Sequence, residues 1–213
     1  QHICDSGAQL AALIEREHAG FDEIVLLCHS MGGLVARAAL ATAEEQGLGF
    51  RSRVSTLITL GTPHHGSHLE RAGHLVDQLL AGTPWTAPLA PLGKIRSAGV
   101  TDLRHGAVID KPDDRFVGGG SPPRHVPLPS DVTTVAVAGT RTRAPEAASE
   151  VVEGPPPPKL ADDNLVPVAS ALGLHDDGER TLAFGAHYTV YATHHLGLLS
   201  SRPVFELLRQ TLA

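Results

Sequence analysis

The sequence predicts an α/β domain, a mostly parallel sheet flanked by helices. Three observations carry this. Short apolar runs of strand length occur at residues 23–28 (EIVLLC), 54–60 (VSTLITL) and 132–138 (VTTVAVA). Longer helical patterns lie between and around them, and residues 23–60 make a strand–helix–strand succession of the kind that builds a parallel crossover. A serine, Ser30, stands at the joint between the first strand and the helix after it.

Taken in order, Leu10, Leu13 and Ile14 fall at helical spacing, with Asp5 and Ser6 as candidate caps and Gly20 as the stop. The continuous apolar run at 23–28 has the pattern of a strand buried on both faces. A helix follows over Met31–Gln46, with Leu34, Val35, Ala38 and Ala39 on one face and Gly47 ending it. The second strand, 54–60, stops at Gly61 and Pro63. Gly and Pro are then frequent through residues 61–130, with helical stretches expected near Leu69–Leu80 and Gly93–Arg104. The third strand at 132–138 leads into a Pro-rich connection over 141–160, which includes "GPPPP" and cannot be regular helix or central strand. A fourth strand is expected at 187–192 (HYTVYA), and a closing helix at 203–212 with Pro203 at its start.

Composition narrows the function. The chain has 213 residues, 42% of them hydrophobic, enough for one domain with a sizeable core. A formal net charge of −6 argues against a nucleic-acid groove. No apolar run reaches the ~20 residues of a membrane-spanning helix. Cys4 and Cys28 make no disulfide framework, and no charged segment followed by an apolar one marks a leader at "QHICDSGAQL". The expectation is a reducing, cytoplasmic setting.

A strand that turns directly into a helix holds the residue at the joint in strained backbone geometry and demands small neighbours two residues to either side. Around Ser30 those neighbours are Cys28, where a G-x-S-x-G pattern has its first glycine, and Gly32. The helix from Met31 points its free N–H groups and positive dipole end at the serine, so the Met31 N–H is a natural oxyanion donor. A serine hydroxyl needs a histidine to take its proton and an acid to orient that histidine. On a fold of this kind they follow in the order serine, acid, histidine. "ADDNLVPVAS" (161–170) offers Asp162 and Asp163 after the third strand, and "ATHHLGLLSS" (192–201) offers His194 and His195 after the fourth.

Together "IVLLCHSMGGLVAR", "LITLGTPHHGS", "DDNLVPVAS" and "HHLGLLSSRPVFELL" resemble the α/β-hydrolase lipases and serine esterases of the PGAP1-like group, in the expected order over nearly the whole chain. The resemblance implies an α/β-hydrolase fold and hydrolysis of carboxylic esters through an acyl-enzyme. It implies Asp163 as the acid, with Asn164 in place of the family's glycine and Asp162 as runner-up, and His195 as the base. It further implies a second oxyanion donor from an H-G element before the nucleophile strand. Only 22 residues precede that strand, so the chain is expected to be the C-terminal part of a longer hydrolase. The same residues would serve an acyltransferase or thioesterase, and a non-catalytic fragment is the remaining alternative.

Other features complete the expectations. Residues 66–130 are too long for a plain loop and are expected to form a cap within a single domain spanning 1–213. Apolar residues there, Trp85 among them, would favour an ester with a hydrophobic part. His29, His64 and Trp85 are expected to face the substrate, with "PHHGSH" at the pocket rim. His187 is expected to be structural or substrate-facing. His64 and His68 lack the carboxylate partner of an H-E-x-x-H site, so no metal and no cofactor is expected. The expected partner is a small-molecule or lipid-like ester.

Overall fold

A computed structural model describes residues 1–66, 102–103, 106–109, 124–145, 150–157 and 160–213. The expected helix at Leu69–Leu80, all of that at Gly93–Arg104 except residues 102–103, most of the expected cap, Trp85 and His68 lie outside them.

The described elements are α1 (Ile3–Glu17), β1 (Ile24–His29), α2 (Met31–Gln46), β2 (Val54–Leu60), β3 (Thr133–Gly139), β4 (Val151–Glu153), a one-turn α3 (Val168–Ala171), β5 (Ala186–Val190) and α4 (Arg202–Thr211). The strands form one sheet in the order β1-β2-β3-β5-β4. Its first four members are parallel and β4 pairs antiparallel to β5. Strand β4 was not expected; it sits in the Pro-rich connection, where the three residues Val151–Glu153 just before "GPPPP" pair with β5 at the sheet edge.

Side-chain alternation divides the core into two layers. Leu57, Ala136 and Ala138 face the side covered by α1, α2 and α3, and Ile58, Leu60, Val135 and Val137 pack beneath Val204 and Leu207 of α4. Strand β1 departs from its expected burial. Val25 and Leu27 are 39% and 49% exposed, because β1 is an edge of the described sheet and α4 packs on β2, β3 and β5 rather than on β1.

Helix α1 starts earlier than Asp5 and Ser6 would have it. Its cap comes from far along the chain: the Ile3 N–H donates to Asp102 Oδ2 at 2.6 Å, and His2 Nδ1 lies 3.1 Å from Asp102 Oδ1. Its fully buried stripe is Ile3, Gly7 and Ala11, while Leu13 is exposed. Gly7 is required by close approach, since a Cβ there would lie 2.3 Å from the Ala38 Cβ on α2. Helix α2 has the expected bounds, and α4 begins at Arg202 with Ser201 as its cap and Pro203 in its first turn.

The consequence for function is positional. Ser30, the Gly61–Gly66 turn and the turn carrying His195 follow the parallel strands β1, β2 and β5 at their C-terminal ends, and the loop carrying Asp163 is tied to the same end of β3, where Thr140 Oγ1 donates to the Ala161 carbonyl at 2.6 Å; this is the end at which open α/β sheets bind ligands.

Candidate active site

Strand β1 ends at His29 and α2 starts at Met31, so Ser30 makes the whole turn. Its backbone sits at φ 55°, ψ −131°, a region L-residues rarely occupy. Two bonds hold it there: the Ser30 N–H donates to the Leu60 carbonyl at 2.9 Å, and its carbonyl accepts from the Gly33 N–H at 3.1 Å. The side chain is buried and its Oγ has no hydrogen-bond partner among the described residues. Met31 opens the helix, where first-turn N–H groups lack intrahelical acceptors.

Asp163 and His195 form a buried pair, with Nδ1 2.7 Å from Oδ2. The other carboxylate oxygen, Oδ1, accepts the N–H groups of Leu165 (3.0 Å) and Val166 (2.8 Å), and the His195 N–H donates to the Asp163 carbonyl at 2.9 Å. Asn164 makes this wrap possible. It stands at φ 87°, a conformation that glycine adopts freely and asparagine tolerates. With a carboxylate on Nδ1 that nitrogen carries the proton, which leaves Nε2 of the neutral ring as an acceptor. Nε2 is buried and has no hydrogen-bond partner among the described residues, Ser30 Oγ included.

Gly61 brings this pair to the serine's turn. It follows Leu60, which holds the Ser30 N–H, and a Cβ on it would lie 3.1 Å from His195 Nδ1 and 3.2 Å from Cε1. Its φ of 58° also favours glycine.

The neighbours that sequence left in competition separate clearly. Asp162 is turned toward Arg141, at 3.4 Å, and its Oδ1 accepts the Asn164 N–H. His194 is exposed and its Nδ1 accepts the Gly197 N–H, capping the short turn His195–Leu199. His187 lies on β5 beside Phe184, with Nε2 buried and without a hydrogen-bond partner among the described residues. Burial pushes the Cys28 thiol up to about 11, so it stays protonated and poorly nucleophilic at neutral pH.

One histidine is not where it was expected, and a second makes a contact that was not foreseen. His64 is buried in the interior instead of at a pocket rim. Its Nδ1 lies 3.4 Å from Arg37 Nη1 and its Nε2 3.3 Å from Thr59 Oγ1. The guanidinium has only N–H donors, so Nδ1 is the acceptor and the ring is neutral. Desolvation, with the Arg37 charge second, holds its pKa well below the ordinary histidine range. His29 turns its ring toward His195: the centroids are 4.6 Å apart, and Nε2 lies 3.1 Å from the His195 carbonyl. Neither contact was legible in sequence; the only signals were the positions of these histidines beside the two turns.

Buried neutral histidines make stability depend on pH. Desolvation, aided by His195, lowers His29 to about 4, and His64 shifts in the same direction. The unfolded chain takes up these protons below about pH 6.5 and the folded chain does not. Stability is therefore full above that pH and falls toward pH 4, each ring contributing up to roughly 1.4 kcal/mol per pH unit. Urea midpoints at pH 7.5, 6 and 5 are expected to fall in that order; a flat series would contradict the buried-neutral assignment.

Among the described residues no group of three or more His, Cys, Asp or Glu is arranged to hold a metal ion, and no helix is long and apolar enough to cross a membrane.

The sheet order, the flanking helices and the turn at Ser30 define the α/β-hydrolase fold. Residues 7–111 match the family model of the PGAP1-like alpha/beta domain. The crystal structure of Bacillus licheniformis lipase BlEst2 in its mature form is similar with a TM-score of 0.53 at 19% identity, covering 100% of this chain and 75% of that one. The propeptide form of the same lipase gives 0.49 at 19% identity, over 98% of this chain and 40% of that one. Comparison with curated proteins finds no match.

Proposed function

We propose that the chain is a serine hydrolase that cleaves carboxylic esters through an acyl-enzyme. Ser30 Oγ attacks the ester carbonyl while His195 Nε2 takes its proton. Asp163 holds His195 in the tautomer this requires, and the Met31 N–H donates to the developing oxyanion. His195 returns the proton to the leaving alcohol, and then activates a water that releases the acid. These steps use the chain's own side chains and water. The substrate is a small or lipid-like ester, in keeping with the lipase whose fold the chain shares.

One observation carries the reading. A non-glycine residue is held at φ 55° in a strand-to-helix turn, at the same sheet end as a histidine whose Nδ1 is tied to a carboxylate, and neither the serine hydroxyl nor the histidine Nε2 has a hydrogen-bond partner among the described residues. A structural serine capping α2 would bond its hydroxyl to a first-turn N–H, and Ser30 makes no such bond.

The test is labelling with a fluorophosphonate followed by peptide mass spectrometry. The adduct is expected on Ser30 and is expected to vanish in His195→Ala. An adduct elsewhere, or none on folded protein, would refute the assignment.

A further inference from the structure

Nothing in the proposed reaction uses His29, yet its side chain meets both the backbone and the ring of His195. Its Nε2 is 3.1 Å from the His195 carbonyl, and the two rings lie 4.6 Å apart at 46°. A carbonyl only accepts, so Nε2 of His29 is its donor. Burial keeps the ring neutral at ordinary pH, leaving that nitrogen as the ring's single N–H. The His195 main chain is then held from both sides: its N–H by the Asp163 carbonyl at 2.9 Å and its carbonyl by His29. With Asp163 Oδ2 on Nδ1, three bonds set the ring's position, and His29 is the residue covalently joined to Ser30.

We propose that His29 is a positioning residue that ties the base to the nucleophile, its Nε2–H clamping the His195 carbonyl so that the imidazole stays in register with the Ser30 hydroxyl. The inference rests on the serine-hydrolase reading above and replaces the substrate-facing role expected from sequence. Displacement of reacting groups by about 1 Å costs on the order of 10²-fold in rate. A lost clamp is therefore read in kcat, not in KM. The charged or titratable groups facing His29 are His195 and Asp163.

The experiment compares the full chain with His29→Phe, which keeps a ring and loses the donor, and His29→Gln, which keeps a donor. His29→Leu replaces the Phe variant if that one unfolds below room temperature. Two readouts are taken: kcat and KM on a soluble p-nitrophenyl ester, and the low-field proton NMR resonance of the His195 Nδ1–H held by Asp163. His29→Phe is expected to lower kcat by roughly 10- to 100-fold with KM within about twofold, and to broaden or shift the resonance. His29→Gln is expected to restore both. A donor-less variant that keeps kcat and the resonance within error would overturn the proposal, as would a loss confined to KM. If the unsubstituted chain shows the resonance but no hydrolysis, the hydrolase reading fails, and the clamp is still judged from the resonance alone.

Discussion

Ser30→Gly is expected to abolish ester hydrolysis, lowering kcat by about 10⁴-fold or more, and at the same time to make the protein more stable. The two effects share one cause. At φ 55° and ψ −131° the serine Cβ crowds its own backbone, a conformation costing on the order of 1–3 kcal/mol for a non-glycine residue. Glycine relieves that strain and removes a buried hydroxyl that has no partner among the described residues. Its greater freedom in the unfolded chain takes back roughly 0.5–1 kcal/mol. The net gain is expected at about 1 kcal/mol, read from urea unfolding alongside the kinetics. A variant that still turns over ester would place the nucleophile elsewhere, and one that is less stable would show that the turn is not strained.

Asp163→Asn is expected to lower kcat by about 10⁴-fold while leaving the fold intact. The local bonds dictate why. Oδ1 of Asp163 is committed to the N–H groups of Leu165 and Val166, so the asparagine must keep its carbonyl oxygen there. Its NH₂ then faces His195 Nδ1, which sits 2.7 Å from the present Oδ2. To meet a donor, Nδ1 must give up its proton and become the acceptor, and the proton moves to Nε2. A histidine protonated on Nε2 cannot take the Ser30 proton. The ring stays in place, so KM and the thermal midpoint are expected to change little. A loss of less than tenfold would mean that Asp163 is not the orienting acid.

Much of the fold was legible because it is written locally. The run IVLLCH, the helix Met31–Gln46 and the turn between them belong to consecutive residues, and β2, β3 and α4 likewise fall within a residue of their expected bounds. The tight turn at Ser30 needed only its own residues and small neighbours to be recognised. The substitution of Asn164 for glycine was visible too, and the structure supplies its reason in a positive φ that asparagine tolerates.

What sequence could not decide was direction. Asp162 and Asp163, or His194 and His195, are adjacent and chemically alike, so composition and spacing did not choose between them; the family resemblance pointed to Asp163 and His195, and the packing of their loops over β3 and β5 is what turns those two toward each other. The cap of α1 was invisible for a related reason, since Asp102 lies 99 residues from the Ile3 N–H it accepts. His64 beside Arg37, and His29 against the His195 carbonyl, likewise join residues 27 and 166 apart in the chain. By itself the sequence determined the order of strands and helices, the turn at Ser30 and the segments bearing an acid and a base, because periodicity, turn chemistry and motif are properties of neighbours. Only the tertiary structure brought Asp163 Oδ2 to His195 Nδ1 and His29 Nε2 to the His195 carbonyl, because burial and hydrogen-bond direction are set by what the folded chain brings against each side chain.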